Sequence, residues 1–337
     1  MSNDTLPLAI SCGDPSGVGP DVLLMAYAQR ARHELAPFYV LGDPAQLGAR
    51  AARLGLDITV AVATHDHVGQ LFADALPVIP LHNNLGETPG APNGDNAPGI
   101  IEAIERGTQD CFTGRARGLV TAPIAKAVLY ERGFSFPGHT EMLGALASAH
   151  TGKPCMPVMM IAGPDLRTVP VTIHLPLSAV FDALTPALIA DTIRVVNADL
   201  TQRFGIASPR IAVAGLNPHA GESGTMGTED DELIAPVLDV LRAEGLSIAG
   251  PLPSDTMFHA AARATYDVAV CMYHDQALIP AKTLAFDEGT NVTLGLPMIR
   301  TSPDHGTAFD IAGTGKARPD SFIAAVKMAQ TMADNAR

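Results

Sequence analysis

His174 and His274 directly follow the apolar, strand-like runs 168–173 and 267–273, and His219 follows the run 210–215 after three further residues. Imidazole is a preferred ligand for zinc and other first-row divalent ions, and three protein ligands with an open position mark a catalytic metal site. The three residues lie 45 and 55 positions apart, so no finger-type spacing supports them, and their case rests on equivalent placement at strand ends. A lone histidine there more often serves as a hydrogen-bonding residue. Three in equivalent places make a shared ion as good a reading as three separate hydrogen-bonding side chains. Asp275 beside His274, and Asp255 in 251–258 (PLPSDTMF), are carboxylates able to orient imidazoles or move protons. The plainer reading of Ser254-Asp255 is the start of a helix.

The segment 272–310 carries further groups suited to a small anion. Lys282, Asn291 and Arg300 recur about nine residues apart around a strand-like run. Arg300 can grip a carboxylate or phosphate through two parallel bonds, whereas Lys282 acts as a point charge. Surface exposure would explain any one of them, but the chain holds only 22 basic residues. Asp304-His305-Gly306-Thr307 follows as a Gly-containing turn. Gly138-His139-Thr140-Glu141 directly precedes a helical pattern, where backbone N–H groups, a hydroxyl and an imidazole would suit a phosphate. The competing reading is an ordinary N-cap by Thr140.

These residues need a scaffold that carries them to one edge. Strand-like runs at 6–12, 37–42, 57–62, 117–121, 156–162, 168–173, 210–215, 267–273 and 291–296 alternate with helical patterns. The helical patterns cover 20–33, 44–54, 97–112, 139–150, 187–204, 229–244 and 320–335. Such alternation predicts βαβ units, a largely parallel sheet and the α/β class. Ligands of such sheets bind beyond the carboxyl ends of the strands, where the three histidines fall. At 337 residues, two domains are expected. The stretch 82–98, rich in Asn, Gly and Pro, reads as a hinge or surface excursion. The loop 13–19 (GDPSGVG) joins a strand to a helix, yet it is not G-x-G-x-x-G, and no P-loop occurs. A nucleotide, if bound, uses another device.

Composition narrows the function classes. A net charge of −13 without a Lys/Arg cluster, 5% aromatics and no tryptophan argue against nucleic acid as a partner. No apolar run approaches a membrane span, and the first residues lack a basic leader region. Four cysteines lie far apart without a C-x-x-C pair, three of them in or beside apolar runs, which predicts buried thiols and a cytoplasmic location.

The segments LNPHAGESG (216–224), PLPSDTMF (251–258), YHDQ (273–276), NVTLGLP (291–297) and IRTSPDHGT (299–307) together resemble one family. It is that of the 4-hydroxythreonine-4-phosphate dehydrogenases of pyridoxal phosphate biosynthesis. GDPSGVGP (13–20), TAPIAK (121–126), GHTE (138–141) and HLPL (174–177) match it too, so the similarity spans nearly the whole chain. Ala277 stands where glycine is common in that family. The resemblance implies that His174, His219 and His274 hold a divalent metal (Zn, Mg or Co) within a homodimer with a shared active site, His274 coming from the neighbouring subunit. It implies substrate contacts by His139, Thr140, Lys282, Asn291 and Arg300, and catalytic roles for Asp255, Asp275 and Lys282. Lys282 and Asp275 are both candidates for the base. The turn 304–315 is similar to the nucleotide loop of isocitrate and isopropylmalate dehydrogenases, which implies that Asp304, His305, Gly306 and Thr307 bind NAD or NADP.

The implied fold is two-lobed, isocitrate/isopropylmalate dehydrogenase-like, with an interlobe cleft. One lobe (1–125 plus 285–337) would carry the nucleotide loop, and the other (126–284) the metal ligands and the dimer contact. The implied reaction oxidises 4-phosphooxy-L-threonine to 2-amino-3-oxo-4-(phosphooxy)butanoate, which decarboxylates to 3-amino-2-oxopropyl phosphate. A related 4-phosphoerythronate or 4-phospho-D-threonate dehydrogenase would share these motifs. A three-histidine zinc hydrolase would not need the 304–315 loop, and a non-catalytic ligand-binding protein would release no product.

Overall fold

The apolar runs become short strands, and the amphipathic stretches become helices laid over them. The computed structural model describes residues 6–336 apart from 131, 135 and 137, so the leader reading falls partly outside the described residues. The strands are β1 (Leu8–Ser11), β2 (Phe38–Gly42), β3 (Val60–Val62), β4 (Leu76–Pro80), β5 (Leu119–Thr121), β6 (Val158–Ala162), β7 (Arg167–Pro170), β8 (Arg210–Ala214), β9 (Ser247–Leu252), β10 (Val268–Cys271), β11 (Thr290–Leu294) and β12 (Arg300–Pro303). The chain divides into two units, residues 1–157 with 296–335, and residues 158–295.

In the first unit the strand order is β3-β4-β2-β1-β5-β12, and every neighbouring pair is parallel. A parallel sheet is covered on both faces, which explains why every residue of β1 (LAIS) and β2 (FYVLG) is buried. The helices Ala97–Phe112 and Asp320–Asn335 pack on β1 and β12. Helix starts are set locally: Asp43 accepts from the N–H groups of Ala45 and Gln46, and Pro44 occupies the first turn of the helix Pro44–Arg53.

The second unit has the order β11-β6-β7-β10-β8-β9. β6 runs antiparallel to both β11 and β7, whereas β7, β10, β8 and β9 are mutually parallel. The mostly parallel α/β architecture expected from the sequence is therefore present. The three strands that lead to histidines are adjacent, in the order β7-β10-β8.

The junctions lie later than the sequence reading placed them. The helix His139–Thr151 packs on Ala97–Phe112, with the rings of His150 and Phe112 stacked 4.1 Å apart, so it belongs with the first unit. β11 stays with the second because it pairs with β6 along five residues. The segment 82–98 is not a hinge: Glu87 takes the Arg50 guanidinium at 2.9 Å, and Gly90 N donates to Ser16 O at 2.8 Å.

Strands β4, β9 and β12 escape a hydropathy reading because LPVIP, SIAGPL and RTSP carry prolines or polar residues. The helix His274–Leu284 is masked by an internal Pro280. Cys12 and Cys271 are buried as expected, while Cys111 and Cys155 are only half-buried. No helix among the described residues is long and apolar enough to cross a membrane.

Candidate active site

The ladder of β7 with β10 continues past both strands, since Val171 N donates to Cys271 O (2.8 Å) and Thr172 N to Met272 O (3.2 Å). It delivers His174 and His274 to the same edge, with ring centroids 5.8 Å apart. Two imidazoles sharing one ion, with metal–nitrogen bonds of about 2.0–2.1 Å, place their rings about 5–6 Å apart. His274 opens the helix His274–Leu284, and its Nδ1 lies 2.7 Å from Asp275 Oδ1. A carboxylate only accepts, so Nδ1–H donates, an arrangement that in a neutral ring leaves the Nε2 lone pair for a ligand. A cavity of about 240 Å³ opens here, lined by Thr172, His174, Leu177, Val180, Tyr273 and His274 among others.

His219 arrives differently. It sits in the turn Pro218–Gly221 after β8, and this turn packs against Ser254–Thr256, which carries Asp255. Asp255 is exposed there, in a short turn after β9 that starts no long helix. His174 and His219 both have φ of 54°, left-handed backbone that non-glycine residues seldom adopt and that concentrates at functional sites. Among the described residues no three His, Cys, Asp or Glu side chains converge within one chain. The chain therefore pairs His174 with His274 and leaves His219 outside that pair. His274, the ligand that the resemblance assigns to a neighbouring subunit, stands beside His174 in its own chain. The donor set of the pair, two imidazoles with one ring oriented by a carboxylate, fits a divalent metal.

Lys282 lies in the last turn of the same helix, half-buried. Asn291 faces Ile161 across the β11–β6 ladder, and its Oδ1 is buried with no hydrogen-bond partner among the described residues. A buried carbonyl oxygen without a donor marks a place where a ligand would supply one.

The first unit holds the remaining substrate candidates. His139 and Thr140 are the first two residues of the helix His139–Thr151, whose N-cap is Gly138 with no side-chain cap. Thr140 is thus not the cap, and the terminal N–H groups are left available to an anion. Burial, followed by the nearby charges of Arg300 and Lys126, holds the His139 imidazole well below its ordinary range, and its Nε2 is buried without a partner among the described residues. Burial also lowers Arg300 to about 10, with Glu141 opposing the shift, so the guanidinium remains charged at neutral pH. Arg300 Nη2 donates to Thr121 Oγ1 at 2.7 Å. Lys126, present in the TAPIAK motif but given no role from sequence, joins this group: a Cβ built on Gly138 would lie 3.2 Å from its Nζ. Two cations beside an imidazole held towards its neutral form are suited to an anion.

The turn after β12 is stitched to the first loop of the chain. Thr307 O accepts from Val18 N at 2.8 Å, and a Cβ on Gly17 would lie 2.8 Å from that oxygen, so only glycine fits. Asp21 accepts from Gly313 N at 2.8 Å and is itself paired with the fully buried Arg50. Asp304 N donates to Ser321 Oγ (3.1 Å), and His305 Nε2 is buried without a partner among the described residues. Gly306 is exposed, with open space around it. Backbone amides, an unsatisfied imidazole nitrogen and open space suit a polar cofactor. Gly17 of the 13–19 loop thus helps to shape this turn.

Comparison with known proteins places the chain in a family. The family model described as "Pyridoxal phosphate biosynthetic protein PdxA" matches residues 34–329. The chain is 55% identical over 335 residues to a 4-hydroxythreonine-4-phosphate dehydrogenase of Methylorubrum populi, covering 99% of this chain and 96% of that one. It is 53% identical over 329 residues to the enzyme of the same name from Xanthobacter autotrophicus, covering 97% and 94%. The crystal structure of 4-hydroxythreonine-4-phosphate dehydrogenase from Klebsiella pneumoniae superposes with a TM-score of 0.85 at 36% identity, covering 97% of this chain and 99% of that one. The chain belongs to the family of the pyridoxal phosphate biosynthetic protein PdxA.

Proposed function

We propose that this chain is a dehydrogenase of vitamin B6 biosynthesis that oxidises the C3 hydroxyl of 4-phosphooxy-L-threonine with NAD or NADP. The product, 2-amino-3-oxo-4-(phosphooxy)butanoate, loses its carboxylate to give 3-amino-2-oxopropyl phosphate. The observation that carries the reading is the side-by-side placement of His174 and His274 at parallel strand ends, with Asp275 orienting one ring. His174, His219 and His274 would hold a divalent ion (Zn, Mg or Co), one of the three coming from the neighbouring subunit. This makes the working form a homodimer with a shared site. Asp304, His305, Gly306 and Thr307 would hold the nicotinamide dinucleotide.

When bound, the ion supplies Lewis acidity at the reacting hydroxyl, and the nicotinamide accepts the hydride. Everything else falls to side chains. Arg300, the neutral His139 and the amides beside Thr140 hold the phosphate, while Asn291 and Lys282 fix the remaining polar groups. Holding the substrate in one pose converts binding into rate. Either Lys282 or Asp275 takes the hydroxyl proton as hydride leaves the same carbon. Asp255, beside the His219 turn, keeps that turn in order. Free, widely spaced thiols are in keeping with work in the reducing cytoplasm.

The test uses chelator-treated protein, 4-phosphooxy-L-threonine, either nicotinamide and a series of divalent ions. Reduced nicotinamide should appear only when metal is restored. Faster turnover of 4-phosphoerythronate or 4-phospho-D-threonate would move the assignment to a catabolic relative. Hydrolysis without nicotinamide reduction would overturn it.

A further inference from the structure

We propose that Gln276 and Asp230 are positioning residues for the metal-binding imidazoles, closing one hydrogen-bonded chain that ties the three histidine-bearing strand ends together. The proposal rests on the metal site inferred above and adds residues to which no role has been given. Thr172 Oγ1 donates to Met272 O at 2.7 Å, and Met272 N donates to Gln276 Oε1 at 2.7 Å. Gln276 Nε2 then donates to Gly215 O at 2.7 Å. Beyond Gly215, Asp230 accepts from Leu216 N (2.7 Å), Asn217 N (3.1 Å) and Asn217 Nδ2 (3.0 Å). Asn217 Nδ2 is also 2.7 Å from Glu229 Oε2. Thr172, Met272 and Asn217 each stand two residues ahead of a histidine, His174, His274 and His219 respectively.

Both proposed residues are buried, Gln276 at 7% exposure and Asp230 at 0%. The two ends of the Gln276 amide are each used once, on backbone groups of two different strand ends. No other side chain of the YHDQ motif reaches both. Asp230 opens the wide π-helical turn Asp230–Ile234, a rare geometry found most often at functional sites.

A close-fitting anchor is needed because the His219 turn is held against its intrinsic preference. His219, Ala220, Gly221, Glu222, Ser223 and Gly224 all have positive φ, and four of them are not glycine. Left-handed backbone in residues with a Cβ persists only where surrounding bonds impose it. A Cβ on Gly215 would lie 2.6 Å from Asp230 Oδ1 and 2.8 Å from Ala220 Cα, so the turn folds back directly onto that carboxylate. Metal ligands must sit within tenths of an ångström of their positions. Releasing this chain should therefore loosen coordination before it loosens the fold.

The test is Co²⁺ binding to the full chain after chelator treatment, read by titration and by the cobalt d–d absorption bands. Gln276→Met keeps the length and volume of the side chain and removes both bonds. It should weaken Co²⁺ binding about 10–100-fold, as loss of supporting groups around metal ligands does, and alter the bands. Excess Co²⁺ should restore most of the turnover, and nicotinamide dinucleotide binding should be unchanged; a general loss of structure would give neither result. Should Gln276→Met not fold, Asp230→Asn carries the same expectation through the other end of the chain. Unchanged affinity and bands in a folded variant overturn the proposal while leaving the metal site standing. Failure of the unaltered chain to bind Co²⁺ removes the metal site, and this proposal with it.

Discussion

The buried His139–Arg300 group of the first unit and the His174–His274 pair of the second are built in opposite ways. His139 and Arg300 are buried polar groups whose ionisation is set by their surroundings: burial keeps the imidazole neutral and lowers the guanidinium to about 10. His174 and His219 are exposed and owe their placement to left-handed backbone, while His274 opens a helix beside a carboxylate that orients its ring. An anion needs charge desolvated in a fixed pocket, where each interaction strengthens. A metal needs accessible lone pairs aimed at one point, so backbone geometry and outer hydrogen bonds do the positioning.

The largest effect should come from the exposed cluster. His174→Ala or His274→Ala should lower turnover by about a thousandfold or more, equivalent to about 4 kcal/mol, while leaving the unfolding midpoint of metal-free protein almost unchanged. Steady-state rates and a thermal melt check both halves, and a large drop in the melt would erase the contrast with the buried pocket. Arg300→Met should raise the Michaelis constant for phosphorylated substrate by about 100-fold and also destabilise the fold, because Thr121 Oγ1 loses its donor. An unaffected Michaelis constant would place Arg300 outside the site. Asp275→Asn should weaken metal affinity about tenfold, measured by chelator competition.

His139→Gln should cost about tenfold in substrate affinity, the smallest of these effects on activity. It also carries a pH signature. The folded-state pKa of His139 is depressed, so the unfolded chain takes up a proton first as pH falls. The stability His139 contributes is present above its ordinary value of about 6.5 and is lost as pH drops below it. Denaturation curves between about pH 7 and 5 should therefore flatten in His139→Gln. A variant whose acid limb matches the unaltered chain would show that His139 titrates normally.

Some of the site is legible because strand–helix alternation and the strand-end rule are local. The runs 168–173, 210–215 and 267–273 place a histidine just beyond each carboxyl end without any knowledge of strand order. GHTE marks a helix start by the same logic, although the capping residue is Gly138 and not Thr140. Lys126, Gln276 and Asp230 carry no comparable signal. A lysine, a glutamine and one of 35 acidic residues look like ordinary solvent-facing side chains until their neighbours in space are known.

What the sequence by itself determined is therefore the class of chemistry and the class of fold: residue types at strand ends, a mostly parallel α/β pattern, and motifs shared with one family. Tertiary structure alone decided that β7, β10 and β8 are neighbours and that His174 pairs with His274 and not His219. It also decided that Gln276 spans two strand ends and that burial keeps His139 neutral. Periodicity and turn chemistry act over a few residues and are written in the chain. Strand order, desolvation and hydrogen bonds between residues more than sixty positions apart exist only once the chain has folded.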